Sequence, residues 1–117
     1  MSREEIEPKL AKLMSDIAEV EGIFAIDMNG NLIAGQTIQQ DMDKEAIKAK
    51  ISDIINTVNQ LGDLIGKGSS TELKIDLETG IVDIVIGNNL IIGAFIDQES
   101  KSQLGLISRS IKNILGI

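Results

Sequence analysis

Three groups of residues in this chain invite a chemical reading, and their spacing argues against each. Gly66-Lys67-Gly68-Ser69 looks like a fragment of a phosphate-binding loop. Such a loop needs Gly, four residues, then Gly-Lys-Ser/Thr on a strand-to-helix turn. Here Leu61 occupies the first glycine position and Gly68 the hydroxyl position, and an amphipathic stretch precedes the segment. It reads instead as a helix C-terminal break, with Lys67 complementing the helix dipole. Asp41, Asp43 and Glu45 imitate the opening of a calcium loop, but the sixth position is Ala46 and the twelfth is Ser52. Acidic capping of a helix is the better account. Asp27 and Asp83 lie in apolar runs and could suggest a carboxylate pair for acid–base work. Asp27, two residues before Asn29-Gly30, is placed to hydrogen-bond a turn, and Asp83 is read as a turn-facing or surface residue. No catalytic, cofactor-binding or metal-ligating residue is expected.

Composition narrows the chemistry further. The chain has no cysteine and no histidine, so thiolate nucleophiles, the usual structural zinc sites and the commonest general base are missing. Only Phe24 and Phe95 are aromatic and the net charge is -7, which disfavours stacking on bases and contact with phosphate backbones. No window approaches the apolar length of a membrane span, and MSREEIEPK lacks the apolar centre of a secretory signal. A cytoplasmic, non-enzymatic protein is the expectation. At 117 residues, with 43% apolar and 25% charged, residues 1–117 should form one domain able to bury its own core.

The elements that would position any site follow from periodicity. Ile6, Leu10, Leu13, Ile17 and Val20 recur at helical spacing, with Pro8 expected at the start of the regular helix or in its first turn. Strands are predicted at 23–28 and 31–36 around Asn29-Gly30, the dipeptide of a type I′ hairpin turn. The first of these is apolar on both sides near its start and should be central. From Asp43 to Ile65, Ile47, Ile51, Ile54, Val58, Leu61 and Ile65 form one stripe of a long helix capped by Asp41 or Asp43, and Ile55 widens that stripe. Leu73, Ile75 and Leu77 alternate with charges, the pattern of a half-buried edge strand. IVDIVIG and LIIGAFID are nearly all apolar and should form a hairpin covered on both faces. Ser100 to Leu115 completes the chain as a helix opened by a capping box from Ser100 to Gln103. Glycine is costly inside helices and strands, so Gly105 and Gly93 are expected at close backbone approaches.

The order is αββαβββα. Strands apolar on both sides need cover on both faces, and the long helix on one side with two helices on the other supplies it. This is an α+β three-layer sandwich.

Particular residues within this order are similar to the Roadblock family, which includes the dynein roadblock light chain and MglB-type regulators of a small GTPase. They are Val20-Glu21-Gly22-Ile23, then Ile26-Asp27-Met28-Asn29-Gly30-Asn31-Leu32-Ile33-Ala34, the long helix, and Leu104-Gly105-Leu106 opening the last helix. The resemblance covers nearly the whole chain. It implies a five-stranded antiparallel sheet of Roadblock-like or profilin-like type, dimerisation through the middle helices and third strands, and service as a platform for a small Ras-like GTPase. On this sequence the implied dimer contacts are Ile55, Asn59 and Gly62 on the long helix and Glu72, Lys74 and Asp76 on the third strand. The implied GTPase platform is the polar face at Lys48, Ser52, Asn56 and Asp63. The partner subunit could be a second copy or a paralogue. A competing reading is a small-ligand sensor of similar architecture, which would require a cavity with converging polar groups.

Overall fold

The structure, a computed structural model, describes residues 1–117. Its elements are α1 (Arg3–Asp16), β1 (Val20–Asp27), β2 (Leu32–Thr37), α2 (Lys44–Leu64), β3 (Glu72–Asp76), β4 (Gly80–Ile86), β5 (Leu90–Asp97), a 3₁₀ segment (Gln98–Gln103) and α3 (Leu104–Leu115). The five strands form one antiparallel sheet in the order β2-β1-β5-β4-β3. The centre is therefore β5, with β1 an interior strand beside it and β3 on an edge.

Alternation along the strands sorts side chains between two layers. Ile23, Ala25, Ile81, Val85, Ile92 and Ala94 point to the face that also receives Ile6, Leu10 and Leu13 of α1 and Ile107 and Ile111 of α3. Phe24, Ile26, Ile84 and Ile91 point to the other face, where Ile51 and Ile55 of α2 cover them. The layers are unequal: 16 buried residues form the core under α1 and α3, against six under α2. One long helix does not close its side of the sheet.

Local chemistry explains the boundaries. Ser2 caps α1 by accepting from the Glu5 N–H at 3.3 Å, while Glu5 Oε1 accepts from the Ser2 N–H at 3.3 Å. That box starts the helix before Pro8, which lies inside it and not at its start. The interruption falls on the exposed side of the helix, where Pro8 and Glu4, the residue whose carbonyl loses its donor, are both exposed, while Ile6 and Leu10 stay fully buried. The β1–β2 turn also differs from the type I′ expectation. Only Gly30 has positive φ, and the Asp27 N–H donates to the Asn31 carbonyl at 2.9 Å, so Met28-Asn29-Gly30 is a three-residue loop. Of the two candidate caps, Asp43 holds α2, accepting from the Ala46 N–H at 3.0 Å. At the chain's end the expected capping box at Ser100 does not form, because residues 98–103 wind as a 3₁₀ segment with no side-chain cap. A methyl group on Gly105 would meet nothing within 4 Å, so it is a tolerated helix glycine and not a close approach. Gly93 is a close approach: a methyl there would stand 3.2 Å from Ile51 Cδ1 of the covering helix.

Candidate functional site

The rotation of α2 about its own axis decides which of its residues can meet a partner. Ile51, Ile55 and Gly62 are its buried residues, whereas Ile54, Leu61 and Ile65 are 36%, 55% and 59% exposed. The ridge that packs on the sheet is thus displaced by one residue from the stripe expected by sequence.

Three of the expected dimer contacts are engaged within the subunit itself. Ile55 belongs to the subunit's own core. The Asn59 amide oxygen accepts from the Ser70 N–H at 2.7 Å and from Ser70 Oγ at 2.8 Å. Gly62 lies against the Gly68 carbonyl, because the chain after α2 folds back over the helix end, with Gly66 and Gly68 at φ values of 70° and 82°. Ile55 packs on the sheet while Asn59 and Gly62 hold the following loop against the helix, and the outward ridge is Ile54, Leu61 and Ile65.

Beside that ridge lies an open apolar trough of about 370 Å³, bounded by Ile47, Ile51 and Ile54 of α2 and by Ile75, Val82 and Ile84 of the sheet. Phe24 and Phe95 form part of its floor, stacked with ring centroids 6.2 Å apart. Leu77, just past β3, lines the same trough and is 53% exposed. Lys50 is the one charged residue around it.

Next to the trough is the free edge of the sheet, since β3 pairs with β4 alone. Glu72, Lys74 and Asp76 point to the opposite face from Leu73 and Ile75, towards α3. Glu72 receives Ser108 Oγ at 2.7 Å and Lys112 Nζ at 3.1 Å. Asp76 is held by Gln98 and by Lys101 Nζ at 3.2 Å, which keeps its carboxyl below its ordinary value. Lys74 is exposed. The side chains brace β3 from one side and leave its outer backbone groups open for pairing.

The expected platform residues divide. Ser52 and Asn56 line a polar cleft of about 300 Å³ with Asp27, Asn29, Gly30 and Asn59, between α2 and the β1–β2 loop. Lys48 and Asp63 lie outside it, and Lys48 pairs with Glu45 at 3.2 Å. Asp27 organises its own turn: it accepts from the Asn29 and Asn31 N–H groups at 2.9 and 2.8 Å and from Asn31 Nδ2 at 3.1 Å. The Asn31 backbone bond is the largest cause of its lowered pKa. No three His, Cys, Asp or Glu side chains come together as a metal site.

Asp83 overturns its sequence reading, for it is fully buried under α3 and not at a turn or surface. Its position in an apolar run was a signal for burial. Where α3 would land was not.

No protein-family model matches the chain, and no curated protein matches it by sequence. Solved structures do match by fold. MglB of Myxococcus xanthus superposes with a TM-score of 0.85 at 20% identity, over 97% of this chain and 84% of that one. The gliding protein MglB of Thermus thermophilus gives 0.73 at 13% identity, over 97% and 90% of the two chains. A Roadblock/LC7 domain of Streptomyces avermitilis gives 0.76 at 10% identity, over 91% and 88%. The fold is of the Roadblock type. No helix in it is long and apolar enough to cross a membrane.

Proposed function

We propose that this chain is a non-catalytic, cytoplasmic Roadblock-type module that self-associates and, as a dimer, binds and scaffolds or regulates a small Ras-like GTPase. The observation that carries the reading is the continuity of three unsatisfied surfaces: the open edge of β3, the apolar trough beside it, and the outward ridge of α2. A second copy related by a two-fold axis would pair β3 with β3 and lay its own α2 ridge against the trough, so each subunit would supply what the other lacks. Self-association in a protein of this fold has a precedent in a solved structure described as MglB with tetrameric arrangement, at a TM-score of 0.74.

The GTPase half of the proposal draws on the family resemblance and on the surface left over. With the ridge and the edge covered, the polar side of α2 at Lys48, Ser52, Asn56 and Asp63 remains available as the platform. Neither arginine lies on the proposed platform, since Arg3 bonds the Ile33 carbonyl at 2.8 Å from the start of α1 and Arg109 lies on α3, both helices covering the opposite face of the sheet from α2. Regulation would therefore work by repositioning the partner's own loops. The ligand-sensor alternative is weaker, because the apolar trough is open and offers no converging polar groups, and in the polar cleft Asp27 and Asn59 are already engaged by their own turn and by Ser70.

The test is a pull-down with the host's small GTPases in both nucleotide states, beside light scattering at several protein concentrations. Capture in at least one nucleotide state supports the proposal. Absence of binding in both states removes the GTPase role, and a strict monomer at micromolar concentration removes the dimer.

A further inference from the structure

Asp83 is the one acidic side chain in the core, and neither of its oxygens meets a hydrogen-bond donor. It stands in the middle of β4, opposite Lys74 on β3 and Ala94 on β5. A buried polar group without a partner is expensive, and a buried unpaired carboxylate more so. Diagonal to it on the same face is Glu72, whose carboxylate takes the hydroxyl of Ser108 and the ammonium of Lys112, both from α3.

Two ionised carboxylates have only acceptors to offer each other. A carboxyl group that keeps its proton can donate, so a buried Asp that looks orphaned beside an ionised Glu is satisfied by one shared proton. The groups around the pair agree with this assignment. Burial raises the Asp83 carboxyl, and the bond and charge of Glu72 raise it further, to about 7. Burial also works against ionisation of Glu72, but its bonds from Asp83, Ser108 and Lys112 prevail and bring it down to about 2. The charged groups facing Asp83 are Glu72 and Lys74 from β3 and Lys112 from α3. The neighbour from β5 is Ala94, which is neutral.

We propose that Asp83 and Glu72 hold one proton between them and that this proton fastens the C-terminal helix α3 to the edge strand β3. With it, Asp83 donates to Glu72, and the Glu72 oxygens stay aligned for Ser108 and Lys112. When Asp83 releases it to solvent, two like charges face each other beneath α3, and the contact between helix and edge strand loosens. The device belongs to the single subunit and stands whether or not β3 pairs with a second copy.

The chain has no histidine, so no imidazole titration overlaps the signal. The experiment follows the side-chain carboxyl ¹³C resonances of the whole chain by NMR, with amide hydrogen exchange read over the same series from about pH 5 to about 9. The expected result is an Asp83 carboxyl that titrates near neutrality. Protection of α3 amides, relative to those of β1, should fall roughly tenfold or more across that step. Asp83→Asn keeps a donor and removes the charge, so it should keep α3 protected with no step. An Asp83 titration in the ordinary carboxylate range, or α3 protection that does not follow it, overturns the proposal. Should Asp83→Asn fail to fold, the wild-type titration and exchange still decide.

Discussion

Gly62 and Gly68 meet where α2 ends: a methyl group on Gly62 would overlap the Gly68 carbonyl oxygen. The helix therefore stops by receiving its own following loop, with the Lys67 N–H donating to the Gly62 carbonyl at 2.8 Å. Gly62→Ala must push that loop away and should cost about 1–3 kcal/mol of stability. Gly105→Ala, in open space on α3, should instead add about 0.5–1 kcal/mol by removing a helix glycine. Urea unfolding midpoints of the two variants check this, and equal effects would mean that the Gly62 contact is not tight.

The same loop is tied by Asn59, which is half-buried and accepts two hydrogen bonds from Ser70. Asn59→Ala leaves the Ser70 N–H and hydroxyl without their acceptor and should destabilise the protein by about 1–3 kcal/mol. Asn56→Ala, one turn earlier on the exposed side, should change stability by less than about 0.5 kcal/mol. Thermal unfolding of the pair separates a loop anchor from a surface amide.

These two residues mark the limit of what periodicity reveals. The alternation of Leu73, Ile75 and Leu77 with charges identifies an edge strand because one wet face and one dry face leave their trace in every second residue. The two nearly continuous apolar runs identify the covered strands β4 and β5 for the same reason. On α2, however, Ile47, Ile51, Ile54, Val58, Leu61 and Ile65 and the adjacent Ile51, Ile55 and Gly62 are rival ridges of one helix. Choosing between them depends on where the loop after Gly66 returns. That return leaves no periodic trace in the sequence, and neither does the landing of α3 over Asp83. The strand edge was legible, and the helix contacts and the buried acid were not.

The outward ridge of α2 gives the sharpest test of self-association. Leu61→Glu places a charge at the centre of the proposed helix contact without touching the subunit's core, since Leu61 is 55% exposed. It should weaken dimerisation by about 2 kcal/mol or more, roughly 30-fold in Kd, with an unchanged circular dichroism spectrum. Sedimentation equilibrium measures it. A Leu61→Glu protein as dimeric as its parent would exclude this ridge from the interface.

Stability should also depend on pH in a direction set by the two coupled acids. Asp83 is raised from 3.8 to about 7, so between those values the folded chain holds a proton that the unfolded chain has released. Its contribution is complete below 3.8 and is lost as the pH rises through about 7. Glu72 has the opposite sign: lowered from 4.5 to about 2, it contributes fully above 4.5 and loses that contribution as the pH falls through about 2. Glu21, raised by burial and by the neighbouring Asp97, adds to the loss on the alkaline side. The protein should therefore be most stable between about pH 4 and 5 and weaken towards neutrality, with a slope of at most about 1.4 kcal/mol per pH unit for each proton retained. Urea midpoints over that range in the wild type and in Asp83→Asn measure the effect. The variant, unable to release the proton, should lose most of the decline between about pH 5 and 7, whereas parallel curves would assign the slope to other groups.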